Sequence, residues 1–192
     1  VDRQRCRIRL RGPDARLERP LLGGRYLGNN ALPSGLEGGA ELAGQPKPRV
    51  YVVDNGSEDG SAERLRTHPH IDVLLELRKN VGFSGGNNPG IERAFAEGAD
   101  AVLLLNNDAE VAPDAIAHMV QVLEQKPKVG AVGASIYDAV VRSRLVTYGG
   151  GRAIALTGYS KEKTAVCPPE DLNYITGCAL MLRKEAWQQV GP

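Results

Sequence analysis

From Arg49 onward the chain alternates short apolar runs with turn-forming or helix-compatible segments, and this succession limits the fold more than any other feature of the sequence. Residues 50–53 (Val-Tyr-Val-Val) read as a buried strand ended by the turn Asp54-Asn55-Gly56-Ser57. A short helix is expected over residues 61–66 and a second strand over 71–77, followed by a Gly/Asn-rich loop over 80–90. Pro89 suits the first turn of a helix with Ile91, Ala94, Phe95 and Ala96 on its apolar face. Residues 101–105 (Ala-Val-Leu-Leu-Leu) are apolar on both faces, the pattern of a central strand in a parallel sheet. Pro113 then opens a helix with Asp114 in its first turn and Ile116, Met119, Val120 and Leu123 as its buried stripe, stopped by Lys126-Pro127-Lys128. Further strands are expected over 129–137, 145–148, 152–156 and 174–183, with a last helical turn or two over 184–190. Strands alternating with helices predict an α/β fold: a mostly parallel sheet covered on both faces, with a mixed or antiparallel extension from the later, more closely spaced strands.

The first 48 residues are different. They hold eight Arg, eight Gly and five Pro with one Val, one Ile and no Phe or Trp, and no strand or amphipathic helix pattern emerges from them. They are expected to form an atypical, poorly ordered segment, with 49–192 as the folded part. Only Arg3 to Arg11, where basic and other residues alternate, offers the period of a short edge strand. Over the whole 192 residues Lys+Arg 24 balance Asp+Glu 23 to a formal net charge of +1, which gives no global attraction to nucleic acid. No apolar stretch approaches the roughly 20 residues needed to span a bilayer. Cys6, Cys167 and Cys178 have neither the number nor the spacing of a disulfide framework or a zinc site, so a reducing cytoplasm is the expected compartment.

In a parallel α/β sheet, ligands bind at the carboxyl ends of the strands. Three polar segments fall at that edge. Asp54 follows a four-residue apolar strand, so its carboxylate is fixed there; it could accept the imide N–H of a uracil or thymine ring, or simply close an Asx turn. The run Asn80-Val81-Gly82-Phe83-Ser84-Gly85-Gly86-Asn87-Asn88 offers close backbone approach and amides that donate and accept, but fits neither the dinucleotide fingerprint nor a P-loop. Asn106-Asn107-Asp108, with Glu110 close behind, could share a Mg²⁺ or Mn²⁺ ion with diphosphate oxygens, or could be a capping turn.

Taken in order, Val52-Val53-Asp54-Asn55-Gly56-Ser57-Glu58-Asp59-Gly60-Ser61, the Asn80 to Asn88 run, Leu104-Leu105-Asn106-Asn107-Asp108 and Thr176-Gly177-Cys178-Ala179-Leu180-Met181-Leu182-Arg183 resemble family 2 glycosyltransferases over about residues 49–192. Among these the similarity is to bacterial members that include rhamnosyltransferases of cell-surface polysaccharide assembly. The resemblance implies a Rossmann-like GT-A fold and an inverting, metal-assisted transfer from a nucleotide-diphosphate-sugar donor, UDP- or dTDP-linked, to a glycan or lipid-linked acceptor. It implies that Asp54 binds the pyrimidine base and that Asn55, Ser57, Asn80, Gly82, Asn87, Asn88 and Asn106 line the donor pocket. By the same carry-over Asn107 faces the ribose or donor sugar, Asp108 holds Mg²⁺ or Mn²⁺, and Gly177 borders the acceptor side. Asn in place of the first acids of the family's metal motif implies an ion held together with the donor.

Two departures accompany the match. The family opens with a strand and helix before the strand at 50–53, and residues 1–48 do not look like them. The general base is expected beyond Pro192, so no catalytic residue is assigned. The competing readings are a nucleotidyltransferase of related fold and a non-catalytic piece of a glycosyltransferase. A nucleic-acid partner is not expected; peripheral association with the inner face of a membrane is left open.

Overall fold

The computed structural model describes residues 6–8, 25–28, 48–112, 114–141 and 143–192. In chain order its elements begin with strands β1 (Cys6–Ile8), β2 (Arg25–Gly28) and β3 (Arg49–Asp54), helix α1 (Ser61–Arg66), strand β4 (Val73–Glu76) and helix α2 (Gly82–Ala96). Strands β5 (Ala101–Leu105) and β6 (Ala109–Val111), helix α3 (Ala115–Gln125) and strands β7 (Ala131–Gly133), β8 (Ser135–Asp138) and β9 (Leu145–Tyr148) follow. The chain continues through β10 (Gly150–Ile154), β11 (Tyr159–Glu162), a 3-10 turn at Pro169–Asp171, β12 (Tyr174–Ile175), β13 (Ala179–Arg183) and α4 (Lys184–Val190).

Six strands form the central sheet in the order β4-β3-β2-β5-β13-β7. The first four are mutually parallel; β13 runs antiparallel between β5 and β7. This is the α/β GT-A-like architecture with its mixed extension. Alternate side chains of each strand go to opposite faces. Val50, Val52, Leu103, Leu105, Ala179 and Met181 pack against Ala115, Met119, Val120 and Leu123 of α3 on one face. Tyr51, Val53, Val102 and Leu104 pack against Ile91, Ala94 and Phe95 of α2 on the other, with Trp187 of α4 at its border. Around this body lie a four-stranded sheet, β6-β1-β8-β9, and a three-stranded one, β11-β10-β12.

Several expectations need correction. Residues 101–105 are central, but parallel on one side only, because β13 returns antiparallel on the other. Residues 1–48 do supply strands. Arg25–Gly28 fills the gap between β3 and β5, whose backbone groups would otherwise lack a partner there. Cys6–Ile8 lies between β6 and β8 rather than at an edge. Four and three residues are too few for periodicity to declare a strand. The remainder of the predicted disordered segment lies outside the described residues, as does Pro113. The predicted strands over 129–137 and 174–183 are each two strands interrupted at Ala134 and at Thr176-Gly177-Cys178, while β6 and β11 were not anticipated. Ala96 is exposed, and Ala99 beyond the helix takes its place in the core.

The largest correction concerns residues 82–88, expected as loop and found as the first two turns of α2. Glycine disfavours helix by about 1 kcal/mol relative to alanine, so local propensity does not explain these turns. Tertiary bonds from Asn55, described below, and the bond from Asn87 Nδ2 to the Phe83 carbonyl (2.8 Å) hold them.

Candidate functional site

β3 delivers Asp54 to the carboxyl edge of the central sheet at 3% exposure. Its Oδ2 accepts the Ser57 N–H (3.2 Å), the Asx-type turn that the sequence left open as an alternative. Its Oδ1 is buried and has no hydrogen-bond partner among the described residues. A buried acceptor without a donor costs about 1–3 kcal/mol, which a ligand N–H placed there would offset. One carboxylate therefore does both things: one oxygen shapes the loop and the other is left for a donor. The Asp54 carbonyl accepts Leu77 N–H (2.8 Å), so the whole residue is fixed.

Asn55 is a brace. Its Nδ2 donates to Asn80 Oδ1 (3.2 Å) and to the Gly82 carbonyl (3.0 Å), and its Oδ1 accepts the Val81 N–H (3.0 Å). Asn80 Oδ1 also accepts the Gly82 N–H (2.9 Å). Both amide hydrogens of Asn55 are thus used within the chain, tying the end of β3 to the start of α2. The neighbouring glycines make that junction possible. A Cβ on Gly86 would sit 2.8 Å from Asn55 Nδ2, and one on Gly56, which has φ +75°, would sit 2.6 Å from the Lys79 backbone. Asn87 is buried and spends an amide hydrogen on the helix, whereas Asn88 is half-buried and Asn80 exposed.

Asn106-Asn107-Asp108 follows β5 at the same edge. The Asn106 N–H donates to the Cys178 carbonyl (3.0 Å) and its carbonyl accepts Ala109 N–H (3.1 Å), so the tripeptide is clamped between β13 and β6. Asn107 is half-buried and Asp108 exposed. Tyr51 and Leu104 both pair with Leu27 of β2. β3 ends at Asp54 and β5 at Leu105, so the turn that carries Asn107 and Asp108 leaves the same carboxyl edge of the sheet, β3 and β5 being two strand spacings or about 10 Å apart. Gly177 closes the ring: a Cβ on it would lie 2.9 Å from the Phe83 ring, so the turn before β13 rests on the first turn of α2. The structure thus brings Asp54, Asn55, Ser57, Asn80, Gly82, Asn106, Asn107, Asp108 and Gly177 to one edge, with Asn87 and Asn88 one turn further into α2.

Two members of this edge were not singled out from sequence. Phe83, 49% exposed beside Gly177, had a signal in being an aromatic inside a Gly/Asn run. Arg66 had none. Its guanidinium grips Glu76 with two bonds (2.8 and 2.5 Å), and Glu76 pairs in register with Asp54. That grip holds the Glu76 carboxyl below its ordinary range, and the Glu76 and Glu63 carboxylates, with Asp54 beyond them, raise Arg66.

Among the described residues no group of three His, Cys, Asp or Glu side chains is placed to hold a metal ion. One exposed carboxylate, Asp108, beside two neutral amides fits a Mg²⁺ or Mn²⁺ ion that takes most of its oxygens from substrate phosphates and water; it does not fit a self-sufficient protein cage.

Comparison with known proteins decides the family. Residues 39–189 match the model of glycosyl transferase family 2. The chain belongs to that family. Among curated proteins, an uncharacterized protein, y4gI, of Sinorhizobium fredii (strain NBRC 101917 / NGR234) is 30% identical over 166 residues, 74% of this chain and 17% of that protein. The chain therefore spans about one-sixth of the length of that relative. Among solved structures, the mannosyltransferase PcManGT from Pyrobaculum calidifontis, in complex with GDP-Man and Mn²⁺, superposes with a TM-score of 0.56 at 20% identity, covering 87% of this chain and 46% of that one. A CMP:2-keto-3-deoxy-manno-octonic acid synthetase complexed with CTP is similar at a TM-score of 0.48 and 11% identity, over 88% of this chain and 79% of that one. The mannosyltransferase supports the GT-A-like fold for this family 2 transferase.

Proposed function

We propose that this chain is the donor-binding core of a transferase that moves a hexose from a UDP- or dTDP-sugar to a hydroxyl of a glycan or lipid-linked acceptor. The observation that carries the reading is the buried Oδ1 of Asp54, which has no partner among the described residues and lies at the sheet edge from which the Asn107-Asp108 turn also leaves. Uracil and thymine present a ring N–H flanked by carbonyls, the donor such an oxygen lacks; cytosine presents none there. In this reading Asp54 receives the base, Ser57 and the start of α2 line the nucleoside, and Asn107 faces the ribose or sugar. The N-terminal end of α2 has no acidic residue in its first turn and lies at this edge, where the helix dipole favours a diphosphate.

Asp108, with Asn106 and Asn107 beside it, would hold Mg²⁺ or Mn²⁺ against the diphosphate; such an ion, when bound, supplies charge neutralisation for the leaving group. The neighbour bound to GDP-Man and Mn²⁺ supports a sugar-nucleotide donor and a divalent ion. In the transfer, the acceptor hydroxyl oxygen bonds to the anomeric carbon from the face opposite the diphosphate. The bond from that carbon to the phosphate oxygen breaks, and the hydroxyl proton passes to a general base that none of the residues named above supplies. Configuration inverts. The four motifs support rhamnosyltransferase-like members acting in bacterial cell-surface polysaccharide synthesis, on the inner face of the membrane. Among the described residues no helix is long and apolar enough to cross a bilayer.

Calorimetric titration with UDP, dTDP, GDP and CTP, with and without Mn²⁺, tests the reading. A pyrimidine diphosphate that binds more tightly with Mn²⁺, the increment vanishing in Asp108→Asn, is the expected result. Absence of diphosphate binding, or preference for the triphosphate regardless of metal, would overturn it.

A further inference from the structure

The β10–β11 hairpin carries a surface that the donor site does not use. Register pairs Arg152 with Lys161 and Ile154 with Tyr159, so these four side chains share one face; Gly151, Ala153, Ser160 and Glu162 share the other. The second face is occupied. The Tyr174 hydroxyl lies against Gly151 and bonds to Glu162 and Ser160, and Glu162 also accepts a bond from the Thr147 hydroxyl. On the first face Ile154 is 55% and Tyr159 60% exposed, and Leu156 at the tip is 95% exposed. The turn beneath it is ordered: the Ile154 carbonyl accepts both Thr157 N–H (3.1 Å) and Gly158 N–H (2.9 Å), and Gly158 takes φ +67°.

Directly behind this apolar tip stand Arg152 and Lys161, both exposed. Like charges opposed across a strand pair destabilise it. Neither has a carboxylate partner among the described residues, Glu162 being turned to the other face. An apolar tip backed by an uncompensated basic pair complements an anionic bilayer: the tip enters the acyl boundary while the cations meet headgroup phosphates. Position agrees with that occupant. β12 pairs Ile175 with Gly150 and Tyr174 with Gly151, then leads into Gly177. The tip therefore lies at the far end of β10, whose partner β12 leads into the acceptor side of the site.

We infer that the β10–β11 hairpin is a membrane-docking element that seats this chain on an anionic lipid surface through Ile154, Leu156, Tyr159, Arg152 and Lys161. The inference deepens the acceptor side of the proposed transferase, but its test needs no sugar nucleotide, so the two readings fail separately. The chain is floated with phosphatidylcholine vesicles with and without phosphatidylglycerol, at low and high salt. Wild type is expected to float with the anionic vesicles and to release in salt. Arg152→Glu/Lys161→Glu is expected to weaken that partition by roughly 30-fold or more, and Ile154→Ser/Leu156→Ser/Tyr159→Ser to abolish it. All five positions are exposed, and unchanged circular dichroism and melting temperature keep the variants comparable. Equal flotation of wild type and both variants, no flotation of wild type, or self-association through the hairpin in place of vesicle binding would each overturn the inference.

Discussion

Glycine is used in opposite ways in the two halves of the molecule. Around β3 and α2, Gly86 makes room for a polar side chain, the Asn55 amide, which fits over it. Between β7 and β12, Gly133, Gly150 and Gly151 make room for backbone itself. A Cβ at those positions would fall 2.4, 2.1 and 2.1 Å from the carbonyl oxygens of Gly149, Tyr174 and Lys161. The first half uses small residues to keep a site open at the sheet edge, and the second uses them to close strands onto one another. Substitutions in the first half should therefore alter ligand affinity more than stability, and those in the second the reverse.

Gly150→Ala is the strongest challenge to that division. Its Cβ meets a backbone oxygen that cannot swing aside, so a loss of about 3 kcal/mol and a fall in melting temperature of roughly 10 °C are expected. Nucleotide affinity measured well below the transition should stay within twofold of wild type. Asp54→Ala is the converse. A hydrogen bond to a charged group contributes about 2 kcal/mol, so UDP affinity should drop about 30-fold, with a smaller effect on melting because of the two oxygens removed Oδ1 has no partner among the described residues and Oδ2 accepts the Ser57 N–H at 3.2 Å. Asn55→Ala lies between them. Losing the brace should cost about 1–2 kcal/mol, speed hydrogen exchange at the Val81 and Gly82 amides, and lower UDP affinity less than Asp54→Ala does.

The smallest effect lies far from the site. At the other end of α2, Glu97 accepts from the Tyr51 hydroxyl (2.5 Å) and pairs with Arg93 and Arg49, and these partners lower its carboxyl from the ordinary 4.5 to about 2. A lowered carboxyl contributes stability that is full above pH 4.5 and is lost as pH falls towards 2. Melting followed across that window should show this slope in wild type and a flatter one in Glu97→Gln. A variant with the same slope would remove Glu97 from the account.

What the sequence could reveal follows from the range of the forces involved. β5 and α4 were legible to the residue, and α1 likewise, because apolar runs and local turn chemistry act within a few positions. The start of α2 was not, because four glycines and asparagines argue for loop and the opposing bonds come from Asn55, some 25 residues away. β2 was hidden for a related reason: Arg25–Gly28 is a strand only because β3 and β5 flank it. The site was legible as three polar segments at one edge. The free oxygen of Asp54, the service of Asn55 within the fold and the contact between Phe83 and Gly177 depend on distances no spacing encodes.

The central claim is that Asp54 Oδ1 awaits the imide N–H of a pyrimidine base. Comparing UDP with its N3-methyl analogue in wild type and in Asp54→Ala isolates that one hydrogen bond as a double-mutant cycle. The account predicts that methylation weakens binding about 30-fold in wild type and makes little further difference in Asp54→Ala. Equal affinity of wild type for the two nucleotides would contradict it.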